Sequence, residues 1–414
     1  MKKFIITLLL GITSMQAISQ VTQLLFIGNS YTGVNNLPQL FSDLSLSLGD
    51  SVFVDTYNPG GYTFEMHAVD ANTIAKINSR SWDFVVLQEQ SQRPSFPPAQ
   101  VAQDVYPYAR QLDSLILLNN PCTETVFYMT WGRKYGDQGN CAFWPPVCAF
   151  LGMQEELRNS YVQMANDNAA LVAPVGRAWQ SSWTQDSSIN LWSSDNSHPS
   201  IEGSYLAACV FYETILRKSC VNAPFISSVT NPNALFLQQV AHQIVTDSIF
   251  TWKIGAYDVN ADFSFIASGL QVQFTDQSIN SNNVTWDFGD GSTSLLPQPT
   301  HSYLQAGVYS VNLIAMDSCH SDTAQQFISV VASSVSEINS YENCIIINDQ
   351  SEIEISCGQW ETMSIYDVSG RKMGATELSR NSLQFFKDQI DSGIYLLIFS
   401  SSEGNHQAVK WRNY

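Results

Sequence analysis

The sequence predicts an α/β domain built on a parallel sheet, followed by a β-sandwich and a small all-β C-terminal domain. In residues 20–255, apolar runs such as QLLFIG, SVFVDTY, WDFVVLQ and TETVFYM alternate with stretches of helical spacing. Strands that are apolar on both faces are typical of a parallel sheet covered by helices. Residues 259–332 change to short alternating strands separated by Gly, Asn and Ser turns, which favours a sandwich. From residue 335 the chain is Ser- and Asn-rich and then β-patterned again.

The N-terminal segment, residues 1–19, has the pattern of a secretory signal peptide. Two lysines precede the apolar stretch 4–12, and small residues follow at Ala17 and Ser19. This stretch is too short for a stop-transfer helix, and no later run is long enough to cross a bilayer. We therefore expect a secreted or cell-surface protein without a membrane span.

The composition narrows the classes of partner and of site. The formal net charge of -18 argues against nucleic-acid binding, which needs a basic surface. The chain has eight cysteines, and none has the C-x-x-C spacing of a zinc site. In an exported chain they are candidates for disulfides, with Cys344–Cys357 as the expected bridge and Cys319 as an expected lone buried thiol. We expect neither a metal nor an organic cofactor.

Ser30 is the candidate nucleophile, because it ends the apolar run of LLFIGNSYTG. A catalytic serine needs a base and a group that orients the base. Of the first-domain histidines, His242 lies in a helical pattern and His67 follows a Gly-rich turn, whereas His198 lies in the loop SSDNSHPS with Asp195 three residues before it. One short loop would then supply both the base and the orienting carboxylate.

Two further sequence blocks follow the second and third predicted strands. NPGGYT contains Gly61 after the second strand, and QEQS, with Gln88 and Gln90, follows the third. In this order the blocks resemble the SGNH (GDSL-like) hydrolases over residues 22–220, which implies a three-layer, flavodoxin-like domain. The resemblance implies that Ser30 is the nucleophile and that its N–H, the Gly61 N–H and the Gln90 side chain bind the oxyanion. Many members of the family have G-x-N-D where this chain has QEQS. Gln90 stands at the position of the Asn, and Gln88 is a competing donor.

Aromatic residues near these blocks are candidates for substrate binding. Trp131 and Trp192 lie in loop-like sequence, where exposed rings could stack on sugars, although large aromatic residues also fill cores. Arg133 could meet a substrate carboxylate or form a surface salt bridge.

The second region carries a distinct signature. WDFGDGS at 286–292 and HSYLQAGVYSVNL at 301–313 resemble the polycystic-kidney-disease (PKD) domain. The resemblance implies an immunoglobulin-like sandwich that serves as an extracellular spacer or adhesive module. Asp287 and Asp290 fit a turn in which their side chains cap backbone amides better than a metal site.

The tail, residues 335–414, resembles the C-terminal sorting domain of type IX secretion cargo. That resemblance implies an export address recognised by the secretion machinery, although the Asn-Pro pair that often opens such tails is absent. The matching residues are Ile365, Tyr366, Asp367, Gly370, Arg371, Gly393, Ile394, Tyr395 and Lys410.

Together these features predict an exported serine esterase that acts through an acyl-enzyme. Its expected substrate is acylated carbohydrate, from which it would remove acetyl groups. Two alternatives remain: an esterase for lipid or aryl esters, and a surface adhesion protein that binds glycans without turnover.

Overall fold

A five-stranded parallel sheet forms the centre of the first unit of the computed structural model. The four residues 24–27 are completely buried although successive side chains point to opposite faces, so helices cover both sides of the sheet. The chain divides into two units, Met1–Tyr257 and Asp258–Tyr414. The structure describes residues 21–331, 345–347, 353–355, 361–368, 370–377, 390, 393–402 and 406–413.

The strand order is β2-β1-β3-β4-β5, and every neighbouring pair is parallel. This confirms the predicted fold class for the first half of the chain. The strands are β1 Thr22–Ile27, β2 Val52–Tyr57, β3 Phe84–Leu87, β4 Glu124–Tyr128 and β5 Leu171–Ala173.

Two groups of helices flank this sheet. Helices α2, α8, α9 and α10 pack together, and α3 to α6 form the second group. Among the described residues, no helix is long and apolar enough to cross a membrane. The helices are α1 Ser30–Gly33, α2 Leu37–Ser47, α3 Phe64–Val69, α4 Ala71–Ile77, α5 Pro98–Asp104, α6 Tyr106–Asn119, α7 Phe150–Asp167, α8 Val175–Gln185, α9 Ile201–Phe211 and α10 Asn231–Thr246.

The strand order places a crevice at the carboxyl ends of β1 and β3. β1 lies between β2 and β3, so the chain order reverses at this strand. In open α/β sheets such a reversal leaves a ligand-sized crevice outside the strand ends. The GNS and QEQS blocks follow β1 and β3 directly, so both open into this crevice.

The second unit begins with two antiparallel sheets, of order β10-β7-β6 and β12-β11-β8-β9. Their core contains Phe274 and Trp286, both completely buried, which confirms the predicted sandwich. The strands are β6 Phe263–Ser268, β7 Gln271–Asp276, β8 Asn283–Asp287, β9 Thr293–Ser294, β10 Thr300–Ser302, β11 Gly307–Met316 and β12 Ser321–Val330.

The D-G turn of the sandwich has the predicted capping role. Asp287 Oδ1 accepts the Gly289 N–H at 2.9 Å, and Asp290 Oδ1 accepts the Ser292 N–H at 3.0 Å.

Further along, the tail forms a four-stranded antiparallel sheet of order β16-β15-β17-β18 and a β13-β14 pair. Its strands are β13 Ile345–Ile347, β14 Ile353–Ile355, β15 Thr362–Asp367, β16 Lys372–Glu377, β17 Gly393–Ser400 and β18 His406–Asn413.

The cysteines differ from expectation at one described position. Cys319 is disulfide-bonded and half-buried, so the prediction of a lone buried thiol is wrong. It lies in the turn between β11 and β12, and a turn leaves a side chain accessible to a partner. Cys141 and Cys148 form a disulfide that was not singled out as a pair from the sequence. The expected Cys344–Cys357 pair and the signal peptide, residues 1–19, lie outside the described residues.

Gly176, at the start of α8, allows this helix to approach β4. A Cβ there would lie 2.1 Å from the Thr130 carbonyl oxygen and 2.3 Å from Gln154 Nε2, so backbone would have to move. We expect Gly176→Ala to lower the free energy of unfolding by about 1–3 kcal/mol, measured by urea denaturation. Gly60→Ala is the control, because a Cβ at Gly60 would meet no atom within 4 Å. Equal stabilities of the two variants would contradict this account.

Candidate active site

The turn after β1 presents Ser30 at the start of α1. Asn29 is the N-cap residue of this helix: its Oδ1 accepts the Tyr31 N–H at 3.1 Å. The Asn29 amide also donates to the Tyr62 carbonyl oxygen at 2.8 Å, which joins this turn to the loop that contains Gly61. Asn29 is buried while Ser30 is only half-buried. The Ser30 hydroxyl therefore lies at the crevice outside the carboxyl ends of β1 and β3.

Ser30, His198 and Asp195 form a continuous chain of hydrogen bonds. Ser30 Oγ lies 2.8 Å from His198 Nε2, and His198 Nδ1 lies 2.5 Å from Asp195 Oδ2. Since the carboxylate accepts the Nδ1 proton, Nε2 is left to accept from the serine hydroxyl. The tertiary structure thus brings together three side chains that the sequence separates by up to 168 positions.

The Asp195 loop is held by its own carboxylate. Asp195 Oδ1 accepts from the Ser197 N–H at 3.0 Å, the His198 N–H at 2.9 Å and the Ser193 hydroxyl at 2.7 Å. Asn196 adopts a left-handed φ of 59°, which asparagine tolerates better than most residues. Partial burial opposes ionisation of Asp195, but the hydrogen bonds from His198, Ser193 and the backbone outweigh it and hold its pKa well below the usual range.

A stack of aromatic rings packs against the His198 imidazole. The Tyr31 ring packs edge-on against the His198 ring, with 5.3 Å between centroids, and stacks on Trp131 at 4.8 Å. Trp131 in turn stacks on Trp179 at 3.8 Å and donates its indole N–H to the Ser197 carbonyl oxygen. This stack fixes the plane of the imidazole relative to the nucleophile.

Burial changes the interpretation of two tryptophans. Trp131 and Trp192 are 0% and 1% exposed, so the prediction that they stack on substrate is wrong. The loop around Trp192 folds over the carboxyl end of β4, where its indole N–H donates to the Gly132 carbonyl oxygen at 3.1 Å. Large aromatic rings gain more from this burial than from exposure. Both residues belong to the support of the site.

Backbone N–H groups at the turn are available to an oxyanion. The N–H groups of Asn29, Tyr31, Thr32 and Gly33 all have acceptors. In contrast, the Ser30 N–H has no protein acceptor within the part of the chain that the structure describes, because a first helical residue has none in its own helix.

Gly61 lies next to Tyr62, the residue that is bonded to the nucleophile turn. It is exposed and has a left-handed φ of 73°, a conformation that favours glycine. The structure thus places the Gly61 loop beside the Ser30 turn, as its predicted role requires.

The two glutamines after β3 have different surroundings. Gln88 is fully buried; its Oε1 accepts the Asn29 N–H at 2.8 Å and the Thr32 hydroxyl at 3.0 Å, and its Nε2 donates to the Glu89 carbonyl oxygen. It holds the nucleophile turn, which corrects its prediction as a competing oxyanion donor. Gln90 is half-buried, and its Nε2 has only long contacts of 3.3 and 3.4 Å, to Gln92 and Ser91.

Glu89, which was not predicted from the sequence, is a fully buried carboxylate beside the site. Its oxygens accept the Phe64 N–H at 3.0 Å and the Gln90 N–H at 2.5 Å, so it connects the Gly61 loop with the end of β3. Burial raises the pKa of Glu89 to about 7, against the hydrogen bonds from Gln90 and Phe64, which lower it. A charged residue directly after a buried strand was the available signal.

The remaining candidates have supporting roles. Burial lowers the pKa of His67, whose Nε2–H donates to the Gly28 carbonyl oxygen at 2.9 Å, beneath the nucleophile turn. His242 lies on α10 and pairs with Glu213. Arg133 forms an ion pair with Asp137 at 3.7 Å. In the described ranges, no group of three His, Cys, Asp or Glu side chains is arranged to hold a metal ion.

Comparison with known proteins identifies the first part of the second unit. Residues 259–332 match the family model of the PKD domain. The chain is 43% identical over 75 residues to the pre-pro-metalloprotease PrtV of Vibrio cholerae serotype O1, a match that covers 17% of this chain and 8% of the protease. The chain thus spans less than a tenth of that relative, and residues 259–332 form a PKD domain.

Solved structures resemble the N-terminal half. A DUF4886 family protein from Bacteroides uniformis has a TM-score of 0.47 and 16% identity, covering 55% of this chain and 95% of that one. A protein described as an SGNH hydrolase from Slackia heliotrinireducens has a TM-score of 0.39 and 27% identity, covering 47% of this chain and all of its own. The chemistry of this chain is therefore inferred from its own side-chain geometry.

The buried carboxylate predicts a pH-dependent stability. A pKa raised from 4.5 to about 7 means that the folded state binds the Glu89 proton more tightly than the unfolded state. This contribution is complete below about pH 4.5 and is lost as the pH rises through 7. We expect the unfolding free energy of the wild type, minus that of Glu89→Gln, to fall by on the order of 2 kcal/mol between pH 5 and pH 8. Urea denaturation at both pH values tests this, and parallel pH profiles of the two proteins would contradict it.

Proposed function

We propose that the first unit is a serine ester hydrolase of the SGNH type. The observation that carries the proposal is the continuous hydrogen-bonded chain from Ser30 through His198 to Asp195, which opens into a crevice at the strand ends. A serine that only began a turn would require neither a base at hydrogen-bond distance nor a carboxylate on the far side of that base.

The geometry supports a two-step reaction. Ser30 Oγ attacks the ester carbonyl carbon while His198 Nε2 takes the hydroxyl proton, and Asp195 stabilises the imidazolium. When the tetrahedral intermediate collapses, His198 gives that proton to the departing alcohol, leaving the acyl group on Ser30. A water molecule then attacks the acyl carbon, with His198 again as the base, and the acid is released with free Ser30.

The oxyanion is held by two backbone N–H groups in this proposal. The Ser30 N–H is available, and the Gly61 loop is attached to the same turn through Asn29 and Tyr62. Gln90 is the proposed third donor, since its Nε2 donates only at 3.3 and 3.4 Å and could exchange these contacts for a substrate oxygen, while its Oε1 accepts the Gln92 N–H at 2.9 Å.

The proposed substrate is an acetylated polysaccharide outside the cell. The PKD domain supports this setting, because modules of this kind are typical of extracellular proteins. Export would use residues 1–19 as a signal peptide and residues 335–414 as an address for the type IX secretion machinery.

Substitution of Ser30 separates a nucleophile from a turn residue. We expect Ser30→Ala to reduce kcat/KM for p-nitrophenyl acetate by about three orders of magnitude or more, since triad members act as a unit. Labelling by a fluorophosphonate probe should disappear with it. The matched control is Ser187→Ala, at an exposed position away from the triad, which should retain full activity and labelling.

Asp195→Asn tests the orientation of the base by the same assay. An amide at this position favours the wrong imidazole tautomer, so we expect a loss of about 10³ to 10⁴-fold. Its combination with Ser30→Ala should add little.

The hydrolase proposal would be abandoned if Ser30→Ala, correctly folded by its melting temperature, kept more than about a tenth of the wild-type rate, a loss of only about 1.4 kcal/mol.

Truncation tests the proposed sorting tail. A chain that ends at residue 334 retains the triad and the PKD domain, so ester hydrolysis should be unchanged. In a host with type IX secretion, however, release or surface display should be abolished, as measured by activity in the medium and on intact cells. Normal export of the truncated chain would refute the sorting role.

A further inference from the structure

The segment after β4, residues 131–149, borders the candidate site on two sides. We call this segment the rim loop. The Lys134 N–H donates to the Asn196 carbonyl oxygen at 3.0 Å, two residues before the catalytic His198. On the other side, Gln92, two residues after Gln90, donates its Nε2–H to Asp137 Oδ2 at 2.6 Å. The rim loop therefore joins the loop of the base to the turn of the proposed oxyanion donor.

The rim loop is built to keep one shape. Asp137, only 1% exposed, lies at its centre, and its N–H donates to the Val147 carbonyl oxygen at 2.7 Å. Gly136 has a left-handed φ of 74°, and a Cβ there would lie 2.4 Å from the same Val147 oxygen. The Cys141–Cys148 disulfide closes the outer part. The backbone of this loop is thus held in one conformation.

Large apolar side chains on the rim loop face solvent. Tyr135 is 63% exposed and Phe143 is 73% exposed, and Leu151 follows at 47% just beyond the loop. Leu118, at 83%, and Phe250, at 84%, are more exposed still, but they do not lie on the rim loop. Exposed aromatic rings on a rigid loop add nothing to the core, and their position on a loop that is hydrogen-bonded to both sides of the candidate site favours a binding surface.

We propose that Tyr135 and Phe143 form an aromatic platform that stacks on a sugar ring of the substrate. This inference rests on the proposed function and names the part of the substrate recognised beyond the ester. Aromatic faces suit the C–H faces of sugars, whereas an acyl chain needs a continuous apolar groove.

Binding to acetylated xylan tests the platform separately from catalysis. All variants are made in the full chain with Ser30→Ala, and Kd is measured by retardation in affinity electrophoresis. We expect the Tyr135→Ala, Phe143→Ala double variant to bind at least about tenfold more weakly than this parent, equal to about 1.4 kcal/mol. Phe250→Ala is the matched control: Phe250 is 84% exposed and lies outside the rim loop, so Kd should be unchanged.

The Tyr135→Leu, Phe143→Leu variant keeps apolar side chains but removes the ring faces. It should also bind about tenfold more weakly, with a melting temperature like that of the parent. The proposal is overturned if either double variant binds within about twofold of the parent, or if acetylated xylan does not retard the parent. Ring-dependent binding in a protein whose ester turnover does not depend on Ser30 would support the platform and refute the hydrolase.

Discussion

The buried hydrogen bond from the Asn29 N–H to Gln88 Oε1 is the contact on which the site depends. Parallel pairing aligns Ile27 with Leu87, so the residues that follow these two strands meet at one edge of the sheet. Loss of a buried acceptor costs roughly 1–3 kcal/mol, so the turn is strongly held against β3. The Ser30 side chain then projects from a fixed turn, and its hydroxyl lies at hydrogen-bond distance from the His198 imidazole.

The position of the base depends on a different kind of interaction. Asp195 organises its loop internally, but it does not determine where that loop lies. The stack of Trp179, Trp131 and Tyr31 contributes to this position, because Trp131 donates to the loop backbone at Ser197 while Tyr31 immediately follows Ser30. The Lys134 N–H, which donates to the Asn196 carbonyl oxygen, holds the same loop at another point. The aromatic stack therefore couples the Ser30 turn to the His198 loop. The rim loop continues from Trp131, so the exposed Tyr135 is connected to the same support.

Several features followed from local sequence because their causes are local. Runs such as LLFI form strands of a parallel sheet since they are apolar on both faces, and turn chemistry ends them at Asn29 and Gln88. The D-x-x-H pattern brings Asp195 to the backbone and ring of His198, because three residues of loop suffice to reach them. The alternating pattern around Trp286 likewise predicted the sandwich, and its D-G turn caps its own backbone.

The remaining features depend on which surfaces meet, and a residue's own neighbours in sequence cannot determine that. From its sequence neighbours, Trp131 was expected to be an exposed loop residue. In the folded chain Tyr31 and Trp179 enclose it. Gln88 and Gln90 are chemically alike, but one lies beneath the nucleophile turn and the other beside the crevice. In sequence Glu89 is only a charged residue after a strand; its contact with the Phe64 N–H, which comes from a different crossover, exists only in the folded chain. Sequence alone thus determined which polar groups follow the strands and fill the loops, whereas long-range packing decided their burial, and burial sets which of them solvent can reach.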